Sequence, residues 1–518
     1  MANAITNIYR LARAGLTLGW HGVGFIPQSA GAPALVRGFG RVTSPWRRTV
    51  ASDKSTRLST ALVRLGPTYI KLGQFLATRP DVIGPALARD LSGLQDRLPP
   101  FSMPKARAAV EAELGAPVET LFAEFGPPIA AASIAQVHKA AVREADGSLR
   151  PVAVKILRPD VEARFARDLD SFFFAARAAE KLNAPIRRLR PFAAVQTLAD
   201  STALEMDLRM EAAAISEIAE NIANAGDEGF RVPKVDWART AKRVLTIEWV
   251  DGIPLSNLAA IEAAGFDREK LGNLVIRSFL RHAMRDGFFH ADLHQGNLFA
   301  EADGSGLVAV DFGIMGRLGP QEKRFLAEIL YGFITRQYRR IAEVHFEAGY
   351  VPATQNIDAF AQALRSIGEP LVGRPAHEIS MARVLTQLFE VTDLFGMKTR
   401  PELLLLQKTM VVTEGVARTL DPRINIWTAS EPIVRAWVAD QIGPRARLAR
   451  AAEVATALAG LAADAPKIAS EISRAATAFT DFANESAAAK TRGGTLMLRT
   501  AFLIAALSLA AIAFKLWA

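Results

Sequence analysis

The segment His290-Ala-Asp-Leu-His-Gln-Gly-Asn297, followed by Val310-Asp311-Phe312-Gly313, constrains this chain more than any other. Asn297 comes 5 residues after Asp292, and Asp311 comes 14 after Asn297. That spacing predicts a polar loop and then two short strands, Leu298 to Phe299 and Leu307 to Phe312, flanking a polar turn. Phosphoryl transfer asks little covalent work of a protein. It does need metal ions to neutralise phosphate charge and a carboxylate to take or orient the proton of the attacking hydroxyl. Asp292 is the candidate base, while Asn297 and Asp311 supply the hard oxygen ligands expected for Mg²⁺. Taken alone, an Asp-Phe-Gly is usually a strand ending in a turn. It is the order and spacing of the three groups that carry the reading.

Such chemistry needs a lysine on an upstream strand, and Val152-Ala-Val-Lys-Ile156 provides Lys155. Strand alternation puts Lys155 on one face and its neighbours Val154 and Ile156 on the other. An ammonium against phosphates needs a carboxylate from the next helix, and Glu211 in Leu204 to Ala212 is the candidate. Gln136 to Arg143 and Val152 to Leu157 are expected as strands joined through Asp146-Gly147. Thr246 to Val250, ending at Asp251-Gly252, resembles a hinge whose backbone groups around Glu248 and Val250 would read an adenine edge. Residues 53 to 125 and 160 to 224 are expected to be helical, as is most of the second half apart from the two strands after Asn297. His294 has no Cys, His or Glu around it at metal-ligand spacing and is expected to be structural.

Three further motifs bring the sequence close to a known family. Lys71-Leu-Gly-Gln74 looks like a KxGQ motif, Pro128 to His138 like an alanine-rich nucleotide loop, and Glu205-Met-Asp207 like an ExD motif. With the Asp292 and Asp311 segments they make residues 60 to 320 similar to the UbiB/ADCK family of atypical kinases. The resemblance implies an α+β, protein-kinase-like two-lobed fold with an N-terminal helical extension, and Mg-ATP as ligand. It implies nucleotide contacts at Ala130, Ala131, Ala132, Ser133, Ile134 and Val137, and a lid in which Lys71, beside Gln74, meets Glu205 while Asp207 turns toward metal or phosphates. Alanines in place of glycines remove backbone freedom near the phosphates, so nucleotide handling should differ from that of a protein kinase. A lid over the cleft disfavours a protein substrate. The resemblance further implies a part in ubiquinone biosynthesis, with isoprenoid quinone precursors, membrane lipids and the pathway's enzymes as partners, and a homodimer as one possible assembly. A small-molecule phosphotransferase and a nucleotide-binding scaffold without required catalysis stay open as alternatives.

Composition bounds the remainder. With 50% hydrophobic and 22% charged residues, most of the 518-residue chain can bury a core. Having no cysteine excludes disulfides and thiolate metal sites. The net charge is +9, and residues 1–50 carry six arginines and no acid, an arm suited to anionic lipid headgroups. No nucleic-acid-reading motif accompanies it. A signal peptide around Ala14 to Val36 is disfavoured by the glycines and prolines of that run. Leu496 to Trp517 would reach ~33 Å as a helix, enough for a ~30 Å hydrocarbon layer. Lys490, Arg492 and Arg499 before it, against Lys515 after, favour a cytoplasmic body on a bacterial inner membrane. The expected divisions are a basic segment 1–50, the extension 51–127, a small lobe 128–250, a large lobe 251–445, amphipathic helices 446–492 and the transmembrane helix 493–518.

Overall fold

The computed structural model describes residues 4–21, 54–77, 98–182, 190–371, 401–424 and 426–442, with isolated positions besides. The stretches expected as a basic arm after residue 21, as amphipathic helices 446–492 and as the membrane span 493–518 lie outside the described residues, isolated positions apart. Among the described residues no helix is long and apolar enough to cross a membrane.

The chain up to Trp437 forms one compact unit. It begins with helices α1 (Ala4–Trp20), α2 (Lys54–Leu65), α3 (Pro67–Ala77) and α4 (Met103–Leu114). Gly66, at φ +109°, breaks α2 from α3, and Pro67 starts the new helix where its missing N–H costs nothing. Leu58, Leu62, Tyr69 and Ile70 then pack on Phe172 of α5 (Val161–Leu182) and Leu198 of α6 (Pro191–Glu205), giving the extension its own core.

The small lobe is a four-stranded antiparallel sheet in the order β1-β2-β3-β5: β1 (Glu124–Ala131), β2 (Ala135–Arg143), β3 (Leu149–Leu157) and β5 (Val244–Glu248). Val152, Val154 and Ile156 are wholly buried against Ala106 and Val110 of α4, as the alternation of β3 requires. The expected helical stretch ends sooner than anticipated, because β1 already starts at Glu124. Pro127 and Pro128 break its ladder with β2, so the strand leaves a weak periodic signal. Helix α7 (Leu208–Ala225) packs against β5 and carries Glu211 to Lys155.

The large lobe carries a second sheet, β4-β9-β8-β6, from β4 (Phe230–Arg231), β6 (Gly252–Pro254), β8 (Leu298–Glu301) and β9 (Leu307–Ala309). A two-stranded ribbon joins β7 (Phe288–His290) to β10 (Met315–Arg317). Four of these six strands were not expected from periodicity; at two or three residues each they are too short to show one. Strand β9 also stops at Ala309, leaving Asp311 in a turn. Among the described residues the large lobe also carries helices α8 (Arg268–Leu280), α9 (Pro320–Ile334), α10 (Tyr338–Glu347), α11 (Ile357–Gly368) and α12 (Pro401–Leu420), followed by α13 (Ile426–Ile442). The kinase-like α+β architecture is the expected one.

Candidate functional site

Strand β3, helix α7 and the turn after β9 meet at one ammonium. Lys155 Nζ donates to both carboxylate oxygens of Glu211, each at 2.9 Å, and to Asp311 Oδ1 at 2.7 Å. Glu211 is buried at 7% side-chain exposure, whereas Asp311 is 52% exposed and open to the cleft. Burial works against the charge on Lys155, but Asp311 and Glu211 outweigh it and raise its pKa. Lys155 in turn holds the Asp311 carboxyl well below the usual carboxylate range, and the Lys71 charge adds to the pull. Burial pushes Glu211 up against the attraction of Lys155, and its carboxylate also accepts the Phe312 N–H. Asp311 has φ +62°, a conformation uncommon for a residue with a Cβ. The turn is held by contacts at both ends, with Phe312 buried against the His290 ring.

The loop with Asp292 is held from beneath. The Asp292 N–H donates to His290 Nδ1 at 3.0 Å, so the proton sits on Nε2, which donates to the Val310 carbonyl at 3.3 Å. Burial lowers the His290 pKa and keeps the ring neutral. Asn297 is buried; its Nδ2 donates to the Asp292 carbonyl at 3.2 Å and its own carbonyl accepts from Val310 N–H. This leaves the Asn297 side-chain oxygen as the end available to a cation. The Asp292 carboxylate is flanked on both sides, with Lys408 Nζ 3.7 Å from Oδ1 and His294 Nε2 3.8 Å from Oδ2.

The donor set fits a magnesium ion shared with phosphates. Asn297 and Asp311 offer hard oxygens from two adjacent segments, and no cluster of three His, Cys, Asp or Glu able to hold a metal occurs among the described residues. A cation here would need phosphate and water oxygens to complete its shell, as Mg²⁺ does in nucleotide sites.

The alanine segment is a hairpin turn rather than a free loop. Ala132 N–H donates to the Ala135 carbonyl at 2.8 Å, and Arg158 clamps the turn: its guanidinium donates to the Ala132 carbonyl at 2.8 Å and its N–H to the Ile134 carbonyl at 2.8 Å. Ala130 is exposed, and Ala131, Ala132 and Val137 are partly so. Ser133 and Ile134, the other two expected nucleotide contacts of the turn, are buried. Behind the turn runs a buried polar chain that motif reading missed. Gln136 bonds both the N–H and the carbonyl of Phe101, donates from Nε2 to His138 Nε2 at 2.8 Å, and His138 Nδ1–H reaches the Gly126 carbonyl at 2.9 Å. Its signal was two polar residues at i and i+2 on the core face of a strand.

Part of the expected hinge backbone already has partners. The Glu248 N–H already donates to the Lys234 carbonyl at 2.8 Å, and its carboxylate accepts from Arg231 and the Lys234 N–H. Trp249 N–H, just past the end of β5, is paired with the Pro151 carbonyl. The Glu248 and Trp249 N–H groups are therefore already engaged within the protein. Lys71 of α3 and Glu205 at the end of α6 form an ion pair at 2.5 Å, with side chains 11% and 16% exposed. Gln74 lies one turn further along α3, partly exposed. Asp207 does not turn toward the cleft as expected: it caps α7, accepting from Arg209 N–H and pairing with the Arg209 guanidinium at 2.6 Å.

Two family models match the chain. Residues 93–345 match the ABC1 atypical kinase-like domain, and residues 364–425 match the UbiB helical domain. A protein of Xanthomonas axonopodis pv. citri named probable protein kinase UbiB is 40% identical over 402 residues, covering 76% of this chain and 72% of its own. A protein of the same name from Marinobacter nauticus is 38% identical over 396 residues, covering 76% and 71%. Among solved structures, Rv3197 of Mycobacterium tuberculosis, determined in complex with erythromycin, matches with a TM-score of 0.50 at 23% identity, covering 73% of this chain and 94% of that one. That likeness speaks to the fold.

Proposed function

Because the chain belongs to the UbiB family of atypical kinase-like proteins, we propose that it binds Mg-ATP between its two lobes and spends it in support of ubiquinone biosynthesis. The observation that carries this reading is the single ammonium of Lys155 bonded to Glu211 and Asp311, residues 56 and 156 positions away. In this reading Lys155 meets the nucleotide phosphates, Asn297 and Asp311 hold the metal, and Asp292 orients or deprotonates the acceptor. Ala130 to Ala132, Val137 and Val250 line the nucleotide. The metal, when bound, neutralises phosphate charge.

The Lys71–Glu205 pair gives the extension a latch beside the cleft, suited to ATP-driven motion that hands lipid precursors to the pathway's enzymes rather than to phosphorylation of proteins. Leu496 to Trp517, outside the described residues, would hold the catalytic body on the inner membrane. The test is Mg-dependent ATP hydrolysis by the purified protein in lipid vesicles, paired with complementation of a quinone-deficient strain by Asp311→Asn. Loss of hydrolysis together with loss of rescue is expected. Full rescue by a variant that cannot turn over ATP would replace the enzyme with a nucleotide-binding scaffold.

A further inference from the structure

The loop from His290 to Asn297 contains no lysine or arginine, and Lys155 is already engaged by two carboxylates. A cation nevertheless reaches the loop from outside it. Lys408 lies on α12, within the stretch matching the UbiB helical domain, 116 residues beyond Asp292, and its Nζ stands 3.7 Å from Asp292 Oδ1.

The placement of α12 is not loose. The next residue, Thr409, is wholly buried, and its hydroxyl donates to the carbonyl of Ala291, the residue before Asp292, at 3.0 Å, a bond it shares with the Leu405 carbonyl. Further along, a Cβ at Gly272 of α8 would come 3.1 Å from the Ala417 carbonyl, so α8 and α12 approach as closely as backbones allow. Consecutive residues of one helix therefore grip the backbone and the carboxylate of the same loop. An ordinary surface lysine, 42% exposed, would make an ion pair of little consequence for stability. Its position beside the candidate base gives it another use.

We infer that Lys408 is a positioning residue for Asp292, through which the helical domain takes part in phosphoryl transfer by the kinase-like domain. This rests on the nucleotide reading above. In the transfer, the acceptor oxygen bonds to the γ-phosphorus and gives its proton to Asp292. The bond from that phosphorus to the bridging oxygen breaks, and its electron pair leaves on the nucleoside diphosphate. Lys408 on Oδ1 fixes the rotation of the carboxylate, so that Oδ2 can face the acceptor and take its proton.

The test is steady-state ATP hydrolysis by the full chain in vesicles, with Lys408→Met and Lys408→Arg compared in the parent and in an Asp292→Asn background. Expected is a kcat about tenfold or more below the parent for Lys408→Met, with KM for ATP and the thermal midpoint unchanged, and recovery of most of the rate in Lys408→Arg. In the Asp292→Asn background the methionine change should cost nothing further, since the group it positions is gone. A Lys408→Met kcat within twofold of the parent overturns the inference. So does an equal loss in both backgrounds, or a loss matched by a fall in thermal midpoint. If the parent itself neither binds nor hydrolyses Mg-ATP, the nucleotide reading fails and this inference with it; parental turnover indifferent to Lys408 defeats only the latter.

Discussion

Lys155 illustrates how much one side chain can be asked to balance. Two carboxylates converge on it, one buried and one facing the cleft. Removing an ammonium from a buried ion pair leaves the partner charge without compensation, at a cost of roughly 3–5 kcal/mol. Lys155→Met is therefore expected to lower unfolding free energy by about 3 kcal/mol in a urea titration, and adding Glu211→Gln should restore a good part of it. An additive double variant would show that the pair is not coupled. The partnership of Lys155 with Glu211 was legible in the sequence, because strand alternation put the lysine opposite its apolar neighbours and an acid waited on a following helix. The second partner, Asp311, was not assigned to Lys155, since no local rule joins residues 156 positions apart. The surroundings of Ser133, Glu248 and Asp207 were not legible, for one common reason. Each is a polar residue that the backbone nearby already uses or encloses, and motif matching does not register such claims.

Among the elements, α3 shows a glycine whose purpose lies outside its own helix. A Cβ on Gly73 would come 2.7 Å from the Leu62 side chain and 2.8 Å from that of Leu94, so the close seating of α3 on its neighbours depends on its absence. Lys71 shares that helix and reaches Glu205 only while α3 keeps this position. Gly73→Val should cost about 1–3 kcal/mol through overpacking, visible as a lower thermal midpoint, and should weaken the Lys71–Glu205 latch. A midpoint equal to the parent's would count against this packing account. The KxGQ pattern marked the segment from sequence, yet only the packing explains why its third position carries no side chain. The hairpin β1–β2 makes the converse point: its second strand was apparent from alternation, whereas two prolines hid the first.

For the molecule as a whole, acid stability is set partly by histidines that folding keeps neutral. His345 lies between α10 and α11, its Nδ1–H on the Ile341 carbonyl at 2.7 Å, and burial lowers its pKa to about 4. Unfolded, the same ring would titrate near ~6.5. Its contribution is thus complete above that value and declines by about 1.4 kcal/mol per pH unit as the pH falls toward 4, because the unfolded chain takes up the proton first. His345→Asn, which retains a donor at the δ position, should lose about 2 kcal/mol less than the parent between pH 6.5 and 5 in urea unfolding; parallel curves would refute it. His282, also lowered to about 4 by burial, contributes in the same sense. On this scale the amino-acid order alone determined where helices and strands alternate and the sequence of chemical parts, because periodicity and motif spacing are properties of nearby residues. The α+β class and its helical extension followed from the family resemblance that those motifs carry. The tertiary structure decided which of those parts meet. It drew Lys155 to Asp311, turned Asp207 into a helix cap, sealed Ser133 away and set Lys408 beside Asp292. Such pairings depend on how separately folded elements dock, and burial and competing hydrogen bonds at the docked surfaces choose among groups that the linear chain leaves equivalent.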